Sequence, residues 1–115
     1  MKTSNNVINL VGTLKTICEP TSYTSGNATY SNQDIIISTV EQGWNGSTKE
    51  MSHRVKMTGN LILGIKKFKE GSAIELNGSI QSNPTKTGNI FTNLVGNEIQ
   101  ALKANGKPAK LKMTA

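Results

Sequence analysis

The sequence contains little cysteine, few aromatic residues and no long apolar run. Cys18 is its only cysteine, so no intramolecular disulfide is possible and nothing indicates an oxidising compartment. No apolar run is long enough for a signal peptide or a transmembrane helix. We therefore expect a cytoplasmic protein.

Aromatic residues make up only 4% of the 115 residues, and hydrophobic residues make up 35%. A core built mainly from Ile, Leu and Val suits a small all-β barrel, and it does not suit a large cofactor pocket. The length allows one core and is too short for two ordinary domains. We expect one main domain and no cofactor.

The residue patterns of catalytic and metal sites are also missing. There is no paired-carboxylate cluster, no Cys/His ligand spacing, no Gly-rich phosphate loop and no nucleophile beside a histidine. His53 is the only histidine and falls on the apolar side of a strand pattern. We expect neither an enzyme nor a metal site.

Acidic residues are outnumbered, with 7 Asp+Glu against 13 Lys+Arg and a net charge of +6. This balance favours a polyanion as partner, although similar surfaces occur in proteins that bind nothing.

The segment Ser52–Ile80 has a strand–helix–strand pattern. Apolar residues alternate with polar ones on both sides of a run in which Leu61, Ile65 and Phe68 recur at helical spacing. Asn60 and Gly71 suit the ends of that helix. Arg54 and Lys56 fall on the polar face of the first strand.

Three further strands are predicted outside this segment. Asn6–Leu14 has Gly12 at a position that suits a bend, Gln33–Glu41 is typical of a central strand, and Ile90–Gly96 continues as Glu98–Leu102. Between the strands lie Glu19–Ser31, a long turn or a hairpin; Gln42–Glu50, a loop that carries Trp44; and Ser82–Asn89, a turn.

These patterns predict an all-β fold, a five-stranded Greek-key OB-fold barrel with a short helix between strands 3 and 4. That fold binds oligonucleotides or oligosaccharides on strands 2 and 3 and on the loops that join strands 1 to 2 and 4 to 5. The fold alone does not establish a function.

The sequence resembles the bacterial single-stranded DNA-binding protein family over about residues 6–102. The resemblance is carried by NVINLVGTL, TSGNATYSNQDIIIST, SHRVKMTGNL, FKEGSAIELNGSI and TGNIFTNLVGNEIQAL, in that order. It implies an OB-fold that wraps single-stranded DNA, as a homodimer or homotetramer. It also implies that His53 lies near subunit contacts.

The sequence departs from this family chiefly at aromatic positions. Ser52 and Thr58 stand where the family has a tryptophan and another aromatic residue, and Ser82–Asn89 has no counterpart of a further tryptophan. Trp44 matches a stacking tryptophan, and Phe91 falls where a tyrosine is frequent. The family's acidic C-terminal tail has no counterpart in these residues. We expect a relative of phage, plasmid or mobile-element type, or of primosomal type.

We predict sequence-independent binding and protection of single-stranded DNA during replication or recombination, by a basic groove with sparse stacking. The alternative is a primosome-type adaptor that binds single-stranded DNA and docks replication proteins. An RNA-binding cold-shock-like domain would need more aromatic residues. The candidate nucleic-acid-binding residues are Trp44, Arg54, Lys56, Lys15, Lys49, Lys86, Tyr23, Tyr30 and Phe91.

Six of these candidate residues also have a structural interpretation. Trp44 can be a lid on the core, Arg54 and Lys56 can form an ordinary solvated face, and the two tyrosines and Phe91 can plug the barrel or pack between subunits. Cys18 is interpreted as a small apolar filler.

Residues 103–115 are predicted to form a loosely held basic tail after an OB-fold domain at residues 1–102. Four of the 13 Lys+Arg lie there without an acidic residue. Such a tail can lie on phosphates as an electrostatic arm. Alternatively, Lys110–Met113 extends a strand or closes a subunit contact.

Overall fold

The computed structural model describes residues 6–84, 86–88, 90–103 and 106–114. This part of the chain contains seven strands, one α-helix and one 3₁₀ turn. The elements are β1 (Ile8–Ile17), β2 (Thr21–Ser25), β3 (Ala28–Gln42), β4 (Thr48–Met57), α1 (Asn60–Gly64), the 3₁₀ turn Ile65–Lys67, β5 (Ala73–Pro84), β6 (Ile90–Leu102) and β7 (Pro108–Thr114).

Five of the strands form a closed barrel in the order β1-β5-β6-β4-β3, which the pairing of β3 with β1 completes. All its neighbours are antiparallel except β4 and β6, which are parallel. β2 extends the sheet beyond β3, and β7 pairs with β6. The predicted all-β barrel with one short helix is confirmed.

The barrel closes at Gly12, where β1 passes from one neighbour to the other. β1 pairs with β5 from Ile8 to Thr13 and with β3 from Thr13 to Ile17. A Cβ atom at Gly12 would collide with the carbonyl oxygen of Ser38 on β3. Only glycine allows the two backbones to approach this closely. The register irregularity of β1 against β3 lies further along the strand, between Leu14 and Thr16.

The core follows from the alternation of apolar and polar residues along the strands. Ile35 and Ile37 of β3, for example, are fully buried between less buried neighbours. Helix α1 and the 3₁₀ turn add Leu61 and Ile65 to the same core. The buried cluster is Leu14, Ile35, Ile37, Val55, Met57, Leu61, Ile65, Phe68, Ile74, Leu76 and Ile99.

The structure corrects the predicted position and extent of the helix. Because Thr21–Ser25 forms a strand of its own, the helix lies between β4 and β5 rather than between strands 3 and 4. The same pairing confirms the hairpin interpretation of Glu19–Ser31. The α-helix ends at Gly64 and continues as the 3₁₀ turn, and its N-cap is Gly59 instead of Asn60. No helix in the described residues, α1 included, is long and apolar enough to cross a membrane.

The predicted turn at Ser82–Asn89 is shorter than expected. β5 extends to Pro84 and β6 begins at Ile90, with these two residues paired across the ladder. β5 continues to Pro84 because β6 pairs with it from its first residue, Ile90, onward. The polar sequence of this segment gave no sign of that pairing.

The expectation of a loosely held C-terminal stretch is wrong for Pro108–Thr114. These residues form β7, antiparallel to β6, with Ala109, Leu111 and Met113 less exposed than their neighbours. The side chain of Met113 packs against Gly64 so closely that a Cβ atom at Gly64 would collide with it. The alternative, that Lys110–Met113 extends a strand, comes nearer to the structure, in which these residues belong to a separate strand.

Candidate nucleic-acid interface

The outer surfaces of β3 and β4 form one continuous face. Because Ile35, Ile37, Val55 and Met57 point into the core, the residues between them point outward. Across the two strands Asp34 pairs with Lys56, Ile36 with Arg54, Ser38 with Ser52, and Val40 with Glu50. We call these eight residues the β3–β4 face.

Arg54 lies on this face and is held by Asp34. Its Nε donates a hydrogen bond to Asp34 Oδ2 at 2.7 Å, and the two side chains are 67% and 27% exposed. This bond and the attraction of the carboxylate raise the pKa of Arg54. The guanidinium is thereby oriented, and its terminal amino groups remain available as donors.

Lys56 lies beside Arg54 in a crevice between β3, β4 and β6. Asp34, Arg54 and Lys56 form one side, and residues 92–94 (Thr, Asn, Leu) of β6 form the other. Beside the crevice, β4 and β6 pair in parallel, Val55 with Leu94 and Lys56 with Val95. Among the ion pairs of the described residues none includes Lys56, so its ammonium group can meet an anion there.

A second paired cation lies at the border of the face. Lys15 Nζ of β1 is 3.5 Å from Glu50 Oε1, and the Ser38 hydroxyl donates to the same oxygen at 2.9 Å. The hydrogen bond from Ser38, followed by the charge of Lys15, lowers the pKa of Glu50. Glu50 therefore stays ionised and offsets the charge of Lys15.

Trp44 projects from the tip of the loop between β3 and β4 and is 99% exposed. The loop is tight, because Gly43 N donates to Ser47 O at 2.6 Å and Asn45 Oδ1 accepts from Ser47 N and Oγ. The indole covers no part of the described core, so the interpretation of Trp44 as a lid is wrong.

The other predicted residues are more scattered. Lys49 lies on β4 opposite Glu41, and Lys86 is exposed in the turn between β5 and β6. The backbones of Tyr23 and Tyr30 are paired in the β2–β3 hairpin, and Phe91 is paired with Asn83. The side chains of Tyr23, Tyr30 and Phe91 lie outside the part that the structure describes.

Sequence reasoning missed the two carboxylates that lie on this face. Asp34 and Glu50 meet Arg54 and Lys15 only through strand register, for which the sequence carried no signal. His53, on the inner side of β4, shares a hydrogen bond of 2.8 Å between its Nε2 and Thr39 Oγ1. In the described residues, no three His, Cys, Asp or Glu side chains are grouped as a metal site would need.

No family model and no curated protein matches the chain. Solved structures do resemble it. The Plasmodium falciparum SSB in complex with ssDNA has a TM-score of 0.63 at 20% identity, over 90% of this chain and 99% of that one. A mitochondrial single-stranded DNA binding protein of S. cerevisiae has a TM-score of 0.61 at 16% identity, over 88% and 97%.

The single-stranded DNA binding protein from Thermus aquaticus, as a deletion mutant, gives a TM-score of 0.57 at 16% identity. The match covers 91% of this chain and 54% of that protein. At these identities the likeness establishes the fold. The chain has an OB-fold, in agreement with its closed five-stranded barrel and short helix.

Proposed function

We propose that the chain binds single-stranded DNA without reading its sequence and protects it during replication or recombination. The observation that carries the proposal is the crevice on the β3–β4 face, where Arg54 and Lys56 lie side by side on an OB-fold barrel. Proteins with this fold use the corresponding strands to bind oligonucleotides.

Phosphates are bound at the crevice and bases stack at the loop. Lys56 and the terminal amino groups of Arg54 contact phosphate oxygens, and the bound DNA releases its counterions. Trp44, fully accessible at the loop tip, stacks on a base. None of these contacts reads a base edge, so the binding is independent of sequence.

The pairing of cations with carboxylates limits the electrostatic contribution. Asp34 and Glu50 neutralise part of the charge of Arg54 and Lys15, so the β3–β4 face is less basic than a net charge of +6 suggests. Affinity should fall with salt, as for any contact with phosphates.

The proposal is tested by titrating poly-dT, duplex DNA and RNA while following Trp44 fluorescence at two salt concentrations. Poly-dT should quench the fluorescence and bind more tightly than duplex DNA at both concentrations. Equal affinity for duplex and single strand would contradict the proposal.

A primosome-type adaptor is the second candidate, and the carboxylates on the β3–β4 face favour it. Such a protein needs only weak DNA binding, because the same surface docks a replication protein. Affinity for long single strands at moderate salt separates the two functions.

A homodimer or homotetramer is proposed from the sequence resemblance alone. Multi-angle light scattering of the free protein measures the mass of the assembly directly. A monomer at micromolar concentration would contradict this part of the proposal.

A further inference from the structure

A second cleft, of ≈ 540 Å³, lies where the β2–β3 hairpin projects past helix α1. It shares no residue with the β3–β4 face or with the crevice at Lys56. Its lining consists of Thr29, Ser31 and Asn32 of β3, Thr58 and Gly59 after β4, and Ile62 and Leu63 of α1.

The cleft has an apolar side and a polar side. Leu63 is 71% exposed, and Ile62 is half-buried, because Leu61 is the residue of this turn that points into the core. The hairpin contributes three polar residues of β3, Thr29, Ser31 and Asn32. Such a lining suits a ligand with a flat apolar surface and a polar edge.

The cleft is adjacent to the crevice at Lys56. Asn32 and Thr58 line the cleft, and Asp34 and Lys56 line the crevice. Asn32 precedes Asp34 by two positions on β3, which is about 7 Å, and Thr58 follows Lys56 by two positions just after the end of β4. When a phosphate of bound single-stranded DNA contacts Lys56, a neighbouring base of that DNA therefore lies within reach of the cleft.

We propose that the cleft binds one unstacked nucleobase of the strand held on the β3–β4 face; this inference rests on the proposed function. One face of the base packs on Ile62 and Leu63, and its polar edge lies toward Thr29, Ser31 and Asn32 of β3. Hydroxyl and amide groups both donate and accept hydrogen bonds, so such a site accepts any base and the binding stays independent of sequence. Aliphatic contact here adds to the single exposed indole of Trp44 in a chain with 4% aromatic residues.

The test compares two probes of equal length: oligo-dT, and an abasic oligodeoxyribose phosphate that keeps the phosphates and lacks the bases. Leu63→Gln and Leu63→Ala should each bind oligo-dT about fivefold more weakly than the unaltered protein. Their affinity for the abasic probe and the salt dependence of binding should not change. The matched control is Val7→Gln, because Val7 is 75% exposed and lies outside the cleft.

Two outcomes overturn the inference while the proposed function stands: unchanged affinity of both Leu63 variants for oligo-dT, or an equal loss with both probes. Failure of the unaltered protein to bind oligo-dT would instead overturn the proposed function, and the inference with it. Thermal unfolding of each variant shows that the comparison is made between folded proteins.

Discussion

At the scale of single residues, carboxylates decide how much positive charge the β3–β4 face offers. Glu50 holds Lys15 at 3.5 Å and accepts a hydrogen bond from Ser38. A phosphate that binds Lys15 has to compete with this carboxylate. The positive charge that the candidate site offers therefore depends on its acids as well as on its cations.

Removal of the Glu50 charge should strengthen DNA binding. Glu50→Gln frees Lys15 for a phosphate, so affinity for poly-dT should rise at low salt, and the salt slope should increase by up to about 0.7. Salt titrations measure both. Glu75→Gln is the matched control, because it removes the same charge from β5, outside the β3–β4 face. An equal effect of the two substitutions would show that only net charge matters.

The same contacts predict a pH effect. Because the Ser38 hydroxyl is the main cause of the lowered pKa of Glu50, Ser38→Ala should raise that pKa toward its ordinary value. Carboxyl-resolved NMR titration measures it. Because the pKa of Glu50 is lowered in the folded protein, ionised Glu50 stabilises the fold at pH values above its pKa in the unfolded chain. This stabilisation is lost as the pH falls through the pKa of the folded state. An unchanged pKa in Ser38→Ala would assign the shift to Lys15 alone.

Trp44 should contribute to binding and little to stability. It is 99% exposed, so Trp44→Ala should leave the melting temperature nearly unchanged. Loss of one base–aromatic stack should weaken poly-dT binding by about 1–3 kcal/mol. Isothermal titration and thermal unfolding measure the two quantities. Normal affinity together with a large loss of stability would place Trp44 in a packing role.

At the scale of elements, helix α1 and strand β7 stabilise each other through Gly64 and Met113. In an isolated helix, Gly→Ala stabilises by about 1 kcal/mol. Here the new methyl group would meet the Met113 side chain, so Gly64→Ala should destabilise the protein. In a Met113→Ala background the same substitution should stabilise it. Denaturant unfolding of the unaltered protein, the two single variants and the double variant should give a coupling free energy of about 1–3 kcal/mol. Additive changes in the free energy of unfolding would contradict the contact.

The sequence predicted those strands and helices that show a clear pattern within their own residues. Alternating apolar residues located the strands on either side of α1, and Gly12 marked the part of β1 that approaches β3 most closely. β7 was missed because its alternation is short and lysine-rich, and its strand forms only against β6. Packing of Met113 on Gly64 joins residues far apart in sequence, which no local pattern reveals.

The cations of the candidate site could be predicted from the sequence, but the residues that surround and pair with them could not. The spacing of Arg54 and Lys56 placed both on one strand face. Their crevice also needs residues of β6, which is paired with β4, and the ion pair of Arg54 depends on the register of β3 with β4. Both are long-range features that are set by closure of the barrel.

At the scale of the whole molecule, positive charge is spread widely over the surface. Lys66, Lys67 and Lys69 are exposed after α1, and Lys110 is exposed on β7, all outside the crevice. Net charge alone would therefore attract DNA without choosing a surface. We assign the contact more specifically, to Arg54 and Lys56.

The most direct test is the salt dependence of poly-dT binding by Arg54→Ala/Lys56→Ala. Removal of two phosphate contacts should weaken binding to all single-stranded sequences alike and lower the salt slope by somewhat under two units, at about 0.7 per contact. Lys66→Ala/Lys67→Ala removes the same charge outside the crevice and should change the slope much less. A folded Arg54→Ala/Lys56→Ala protein with an unchanged slope would contradict the account and move the binding surface elsewhere.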